Sequence, residues 1–216
     1  MRTVGLFLII SLLLRNPLLA LLIIILIYIF LDRRFIGILP DFMAPLRRRR
    51  NMAELKRQVQ VNPHNANAQL ELGEIYFLNG QYKQAVEYLE KALVKMDDSA
   101  LARFYMGAAL FNLGQRDESL QQLKEAISLN PKIAHGYPYL YLVKHEYSEE
   151  LVANLLRYGA VKTFYDAGKY FKQVGNRHQA NQFFDEVLDA YRLSSPTMRR
   201  QFRNMAIYAR LFGKTK

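Results

Sequence analysis

The side chains that most often carry out chemistry are scarce in this sequence and are not grouped. The four histidines, at positions 64, 135, 145 and 178, include no pair spaced four residues apart and no His-Glu-x-x-His motif. The absence of cysteine excludes disulfides, thiolate metal sites and cysteine nucleophiles. No P-loop, Rossmann glycine pattern or nucleophile elbow occurs. We therefore expect no enzyme, no cofactor and no metal site.

The dominant feature of the sequence is an internal repeat of 34 residues. Residues 66–99 and 100–133 align without a gap, and each unit contains an apolar helical pattern, a glycine break and a second helical pattern. The alignment places Leu72 and Gly73 over Met106 and Gly107, Gly80 over Gly114, Leu89 over Leu123, and Ala92 over Ala126. The repeat predicts two helical hairpins of the same design.

The glycines of the repeat predict how its helices meet. Gly73 and Gly107 lie inside the first helix of each hairpin, where glycine costs about 1 kcal/mol relative to alanine. Such a cost is tolerated where a neighbouring helix must approach closely, and we expect Ala85, Ala92 and Ala126 to be the partners. Gly80 and Gly114 stand where a helix end needs a left-handed residue.

At these positions the chain resembles the tetratricopeptide repeat (TPR) family. The first unit matches the family pattern at Leu72, Gly73, Tyr76, Gly80, Tyr82, Ala85, Leu89 and Ala92, with Asp97 in place of the usual proline. The second unit has Ser119 where the family has its first alanine, and a divergent third unit at 161–194 retains Phe164, Ala167, Gly168, Phe171, Gly175, Ala180 and Phe184. The resemblance implies an all-α solenoid of helical hairpins that binds other proteins.

The remaining segments of the predicted TPR-like domain, 52–216, depart from the repeat. Residues 134–160 form a hairpin shortened by seven residues, because Gly107 and Gly168 are 61 residues apart where two full repeats need 68. We expect Ser148 to cap its second helix, and the preceding stretch Gly136-Tyr137-Pro138-Tyr139 to disturb or delay the first. A lone helix at 52–61 and a helix at 196–212 are expected to cap the two ends of the array. The apolar residues expected on one face of the final helix are Met198, Phe202, Met205, Ala209 and Phe212.

The N-terminal part has a different composition. Val4–Leu31 is a stretch of 28 almost wholly apolar residues, about 42 Å long as a helix. We predict a transmembrane anchor at 1–34 with a break at 15–17, where Arg15-Asn16-Pro17 interrupts the pattern. Residues 3–14 either continue the span, re-enter the membrane or lie on its surface. A cleaved signal peptide is less favoured, because no small-residue cleavage site follows the apolar stretch.

Arginines follow the apolar stretch and predict its orientation. The basic juxtamembrane linker, 35–51, and the two residues before it supply six of them, Arg33, Arg34, Arg47, Arg48, Arg49 and Arg50. Positive residues near the end of a span favour the cytoplasmic side, so we expect a single-pass membrane protein whose C-terminal domain is cytoplasmic. The same arginines are expected to contact anionic headgroups at the membrane surface.

The TPR resemblance also predicts a partner-binding groove, lined by the first helix of each hairpin. Its expected residues are Leu70, Glu74, Phe77, Leu101, Phe104, Tyr105, Phe111, Asn112, Tyr165 and Lys169. At least one of Phe104, Tyr105 and Phe111 is expected to be exposed. Leu70 and Glu74 stand where relatives that grip a C-terminal carboxylate have lysine and asparagine, so an apolar or amphipathic segment is the expected ligand.

These features together predict a membrane-anchored TPR scaffold or adaptor that binds a protein partner. One alternative is an accessory subunit of a membrane complex, held through its N-terminal helix with Arg15 paired to an intramembrane acid. A second alternative is nucleic-acid binding, since the chain has seven basic residues and no acid from Ala190 onward. The net charge of +11 favours nucleic acid only weakly, because the first fifty residues carry much of it.

Overall fold

The computed structural model describes residues 17–31 and 44–213, and all of its regular elements there are helical. The chain divides into two compact units, Met1–Phe42 and Met43–Lys216. The described part of the first unit is helix α1, Pro17–Leu31, which has 15 residues. No helix within 17–31 or 44–213 has both the length and the apolar character needed to cross a membrane. The remainder of the predicted anchor, including Arg15, lies outside the described residues.

The second unit is a series of paired helices. It begins with α2 (Ala44–Val61) and ends with α11 (Pro196–Phe212). Between them lie α3 (Ala66–Leu78), α4 (Tyr82–Leu93), α5 (Ala100–Leu113), α6 (Arg116–Leu129), a 3₁₀ turn (Ile133–Gly136), α7 (Tyr137–His145), α8 (Glu149–Tyr158), α9 (Val161–Gln173) and α10 (Arg177–Leu193). The prediction of an all-α solenoid of TPR-like hairpins is confirmed.

Helix α2 begins earlier than the lone helix expected at 52–61. Its first eight residues lie in the segment interpreted as linker, and they include Arg47–Arg50. Arginine is a good helix former, and Pro45 is tolerated because the first turn of a helix needs no backbone N–H donor. The inner face of α2 packs against the first hairpin through Leu55, which is buried, and Met52 and Val59.

In the two regular hairpins, a glycine of the first helix receives a leucine of the second. A β-carbon on Gly73 would lie 2.5 Å from Cγ of Leu89, and one on Gly107 would lie 2.8 Å from Cγ of Leu123. The close approach was expected, but its partners are these leucines rather than Ala92 and Ala126. Ala85 contributes its carbonyl oxygen, 3.4 Å from the same point on Gly73. The hydrophobic pattern predicts the face of a helix but not which of its side chains fills the gap.

The shortened hairpin, α7 and α8, is closed by backbone contact. Gly136 has φ of +80°, and a β-carbon there would lie 2.8 Å from Cα of Gly159 at the end of α8. The two preceding residues, Ala134 and His135, also have positive φ. The hydroxyl of Thr163 donates to the carbonyl of His135 over 2.7 Å, which ties this turn to α9. The 3₁₀ turn therefore delays the start of α7 until Tyr137.

Two details of the predicted helix ends differ in the structure. The delay expected at residues 136–139 is present, since α7 begins only at Tyr137, but Pro138 does not disturb the helix. It lies in the first turn, where no hydrogen bond from its nitrogen is needed. Ser148 is the N-cap of α8 as expected, but its side chain makes no capping hydrogen bond.

The last helix, α11, covers the end of the array incompletely. Ala206 and Ala209 are buried, and Phe202 and Met205 pack against the core formed by α7–α10. Met198 and Phe212, expected on the same buried face, are 42% and 41% exposed. The helix therefore contacts the array mainly through its middle turns.

Candidate partner-binding groove

A groove of about 530 Å³ runs along the first helices of the hairpins in the second unit. Aromatic rings dominate its walls, and charged side chains lie mainly on α7 and α9. The lining residues are Phe77, Leu78, Phe104, Tyr105, Ala134, His135, Tyr137, Leu140, Tyr141, Lys144, Lys162, Asp166, Lys169, Tyr170 and Gln173. The volume and the mixed lining suit a peptide segment with apolar side chains.

The apolar wall is a chain of ring contacts that crosses three helices. The ring of Phe77 on α3 lies 5.5 Å from that of Tyr105 on α5, which lies 5.0 Å from Phe104. Phe104 in turn meets Tyr141 on α7 at 6.2 Å. These centroid distances are typical of favourable aromatic pairs, so the wall is already packed without a ligand.

The structure brings four of the ten predicted groove residues to the groove, namely Phe77, Phe104, Tyr105 and Lys169. Phe111 lies outside its lining, against the rings of Tyr141 and His145.

The other five predicted residues are engaged elsewhere. Leu70 and Leu101 pack against the cores, and Glu74 accepts a hydrogen bond of 2.8 Å from the Tyr105 hydroxyl. The amide of Asn112 donates to the carbonyl of Ala108 in its own helix. Tyr165 meets the ring of Tyr208.

The expectation that Phe104, Tyr105 or Phe111 would be exposed is wrong. Phe104 is only 4% exposed, and Tyr105 and Phe111 are half-buried. The reason is Tyr141 of the shortened hairpin, whose ring meets both phenylalanines. Burial, followed by the hydrogen bond to Glu74, raises the pKa of the Tyr105 hydroxyl, which therefore stays protonated and acts as a donor.

A polar group of three side chains lies at the other side of the groove. The Tyr137 hydroxyl donates to Oδ2 of Asp166 over 2.6 Å, and Nζ of Lys162 lies 3.3 Å from the same oxygen. Lys162 also donates to the Tyr137 hydroxyl oxygen over 2.6 Å. Burial, and secondly Asp166, raise the pKa of Tyr137. The Asp166 carboxylate is thus already paired.

Lys144 differs from Lys162 in its surroundings. It is half-buried, and its Nζ lies 5.1 Å from the ring centre of Tyr141 and 5.7 Å from that of Tyr170. Burial lowers the pKa of this amine, and the nearby charge of Asp166 only partly opposes that effect. Within residues 17–31 and 44–213 no carboxylate forms an ion pair with it.

Ser119, which departs from the family pattern, joins three helices. Its hydroxyl donates to the carbonyl of Gly107 over 2.8 Å, and its oxygen lies 2.9 Å from Nε2 of His145 on α7. Because the single hydroxyl proton is used on Gly107, His145 must be the donor through Nε2–H. The alanine of the family pattern could not make this link.

Several groove residues were missed by sequence reasoning, namely Tyr137, Leu140, Tyr141, Lys144 and Tyr170. The first four lie on α7, where the seven-residue deletion removes the alignment with the repeat. The signal that could have found two of them is the spacing of Tyr137 and Tyr141, four residues apart on one helix face.

Of the six arginines expected at the membrane surface, Arg33 and Arg34 lie outside the described residues. Arg47–Arg50 lie on α2, and Arg50 is exposed. The basic residues near the C-terminus include four arginines of α11 at positions 199, 200, 203 and 210.

Comparisons with known proteins agree with this fold. The family model described as anaphase-promoting complex, cyclosome, subunit 3 matches residues 51–126. A search of curated proteins gives no significant match.

Three solved structures are similar to this chain. A thermophilic TPR protein of Thermus thermophilus is 16% identical with a TM-score of 0.57, covering 74% of this chain and 89% of its own. Pseudomonas aeruginosa pilF is 18% identical with a TM-score of 0.51, covering 76% and 83%. MamA is 24% identical with a TM-score of 0.50, covering 71% and 96%. At these identities the likeness concerns the fold, which is that of a TPR-like repeat array.

Proposed function

We propose that this chain is a TPR-type scaffold that binds a segment of a protein partner in the groove. The observation that carries the proposal is the row of aromatic side chains from α3, α5 and α7 along an open groove. An extended or helical segment with apolar anchors fits such a surface.

The polar side chains of the groove support binding rather than catalysis. Asp166 is held by Tyr137 and Lys162. His145, just outside the groove, is held by Ser119. A general base needs a lone pair directed at a bound substrate. The Oδ2 atom of Asp166 is instead directed at Tyr137 and Lys162, and His145 does not line the groove.

We also propose that the scaffold is anchored in a membrane with its repeat domain on the cytoplasmic side. The support is the apolar stretch Val4–Leu31 and the arginines that follow it. The test is extraction of membranes with alkaline carbonate, after which the full chain should stay in the membrane fraction. Release into the supernatant would contradict the anchor.

The groove can be tested by partner capture with two matched variants of the full chain in detergent. Leu78 and Leu129 are the last residues of α3 and α6, and they are 51% and 46% exposed. Only Leu78 lines the groove. Leu78→Asp should reduce recovery of a stoichiometric partner about tenfold or more. The reason is that the new carboxylate would lose its water against the apolar side chains of the bound partner.

Leu129→Asp is the control and should recover the partner as the wild type does. Equal recovery by both variants would contradict binding in the groove. Phe104→Ala is unsuitable for this purpose, because Phe104 is buried and its truncation would cost about 3–5 kcal/mol of stability.

A second experiment separates the scaffold from an accessory subunit that is held in a complex through its N-terminal helix. Replacing residues 1–31 with an unrelated membrane span should leave capture of the partner unchanged. If the chain were such an accessory subunit, the same replacement would abolish its assembly with the complex.

A further inference from the structure

Resting on the proposed function, we infer that the partner segment carries an acidic side chain, Asp or Glu, which pairs with Lys144 inside the groove. Recognition of the ligand's charge would then depend on one side chain of the shortened hairpin.

Lys144 is held at the groove by aromatic rings. Its amine reaches over two rings from different helices, Tyr141 on α7 and Tyr170 on α9, and all three residues line the groove. The rings hold the ammonium at the groove instead of letting it extend into bulk water. A cation held against aromatic faces keeps its outward side available for an anion.

Lys144 has no counter-ion among residues 17–31 and 44–213. The neighbouring acid, Asp166, already accepts from Tyr137 at 2.6 Å and pairs with Lys162 at 3.3 Å. Lys169, on the same helix as Asp166, lies over the ring of Tyr165 and also forms no ion pair with the described carboxylates. The groove therefore has positive charge that its own described residues do not neutralise, which is complementary to an acidic segment.

The half-buried site of Lys144 also favours an ion pair energetically. Placing an ammonium in a half-buried site costs free energy, and the lowered pKa of Lys144 reflects that cost. An incoming carboxylate offsets it, since an ion pair partly removed from water is stronger than one on the surface. Lys162 offers no comparable gain because it is 64% exposed and already paired.

An acidic side chain fits better than the carboxylate at a chain end. Capture of a chain end generally uses several donors directed at the two oxygens. The amide of Asn112, a donor expected on this surface, is directed at the carbonyl of Ala108. Lys144 alone offers one point of charge, which is sufficient for a side-chain carboxylate within a longer segment.

The test uses the full chain in detergent micelles and an array of synthetic 12-residue peptides, acetylated and amidated at their ends. Each peptide has one Phe and one Glu at varied separation in an Ala/Ser background, and each has a Gln twin. We expect the best Glu peptides to bind about tenfold tighter than their twins. Lys144→Met should abolish that preference, so that each Glu peptide binds no more tightly than its Gln twin.

Lys162→Met is the matched control, because it removes the same charge from the same groove at a residue that is already paired. It should retain the preference for Glu. Equal binding of Glu and Gln peptides to the wild type, or a preference for Glu that persists in Lys144→Met, would overturn this inference but not the proposed groove. Tighter binding of Gln twins with a free C-terminal carboxylate would assign the anion to a chain end and overturn it too. Failure of every peptide would contradict the groove itself.

Discussion

The regular hairpins α3–α6 and the segment from the 3₁₀ turn to α9 hold their helices together in different ways. In the regular hairpins, a leucine side chain enters the space above a glycine, as Leu89 does at Gly73 and Leu123 at Gly107. In the shortened hairpin, the backbone of Gly136 meets the backbone of Gly159 directly. A side chain can adjust to a small change, whereas two backbones in contact cannot.

The same two regions also differ in what they bring to the groove. Eleven of its fifteen lining residues lie between Ala134 and Gln173, and these include all of its charged ones. The regular hairpins supply Phe77, Leu78, Phe104 and Tyr105. The regular repeats therefore provide the apolar wall, and the irregular segment provides the polar chemistry by which a ligand can be selected.

Among the glycine, hydrogen-bond and histidine variants compared below, Gly136→Ala has the largest expected effect on stability. The new methyl would strain a residue at φ of +80° and lie 2.8 Å from Cα of Gly159, so we expect a loss of about 3 kcal/mol in the free energy of unfolding. Gly114→Ala, with φ of +81° but open space around it, should lose only about 1 kcal/mol. Urea unfolding of the full chain in detergent, followed by helical circular dichroism, measures both. Equal losses would show that the backbone contact is unimportant.

Ser119→Ala tests the link between the two regions. It restores the family's alanine but leaves Nε2–H of His145 without its acceptor, so we expect a loss of about 2 kcal/mol. Ser128→Ala is the control, since that hydroxyl bonds to Glu125 on an exposed surface, and its cost should stay within about 0.5 kcal/mol. A variant as stable as the wild type would mean that the Ser119–His145 link adds nothing.

Tyr105→Phe tests a single contact inside the regular region. The substitution removes the hydroxyl that bonds to Glu74 across α5 and α3, and we expect a loss of about 1 kcal/mol in unfolding free energy. Tyr147→Phe, at an exposed ring outside the groove, should have no measurable effect. The account would be wrong on this contact if the two variants unfolded at the same urea concentration.

The smallest expected effect is a pH dependence at His145. Burial, and secondly the charge of Arg116, lower the pKa of His145 in the folded chain. Below the ordinary histidine pKa of about 6.5, the unfolded state therefore binds a proton that the folded state does not. The free energy of unfolding should therefore decrease as the pH falls from about 6.5 towards the lower pKa of the folded state. The decrease should be smaller in the His145→Gln variant, which lacks the titrating group. His64→Gln, at an exposed position, should follow the wild type.

The fold could be predicted from the sequence because the same pattern of apolar residues and glycines recurs every 34 residues, and each unit therefore folds into the same helical hairpin. Gly80 and Gly114 were identified as turn residues for the same reason, and both have positive φ. The partners of Gly73 and Gly107 could not be predicted, since periodicity shows the face of a helix and not how deeply each side chain enters.

The groove was predictable only where the repeat is regular. Phe77, Phe104 and Tyr105 follow from their positions on the first helices, whereas Tyr141 and Lys144 lie where the alignment with the repeat is lost. The burial of Phe104 depends on Tyr141, a contact between residues 37 positions apart that no local pattern encodes.

Site-specific photocrosslinking tests the central claim most directly. p-Benzoylphenylalanine is placed at Leu78, which lines the groove, or at Leu129, a leucine of similar exposure that does not. The full chain is irradiated with its co-purified partner in the presence of the best Glu peptide or its Gln twin. We expect crosslinking of the partner only from position 78, and competition by the Glu peptide but not by the twin. Crosslinking from position 129 alone, or equally from both positions, would contradict the account.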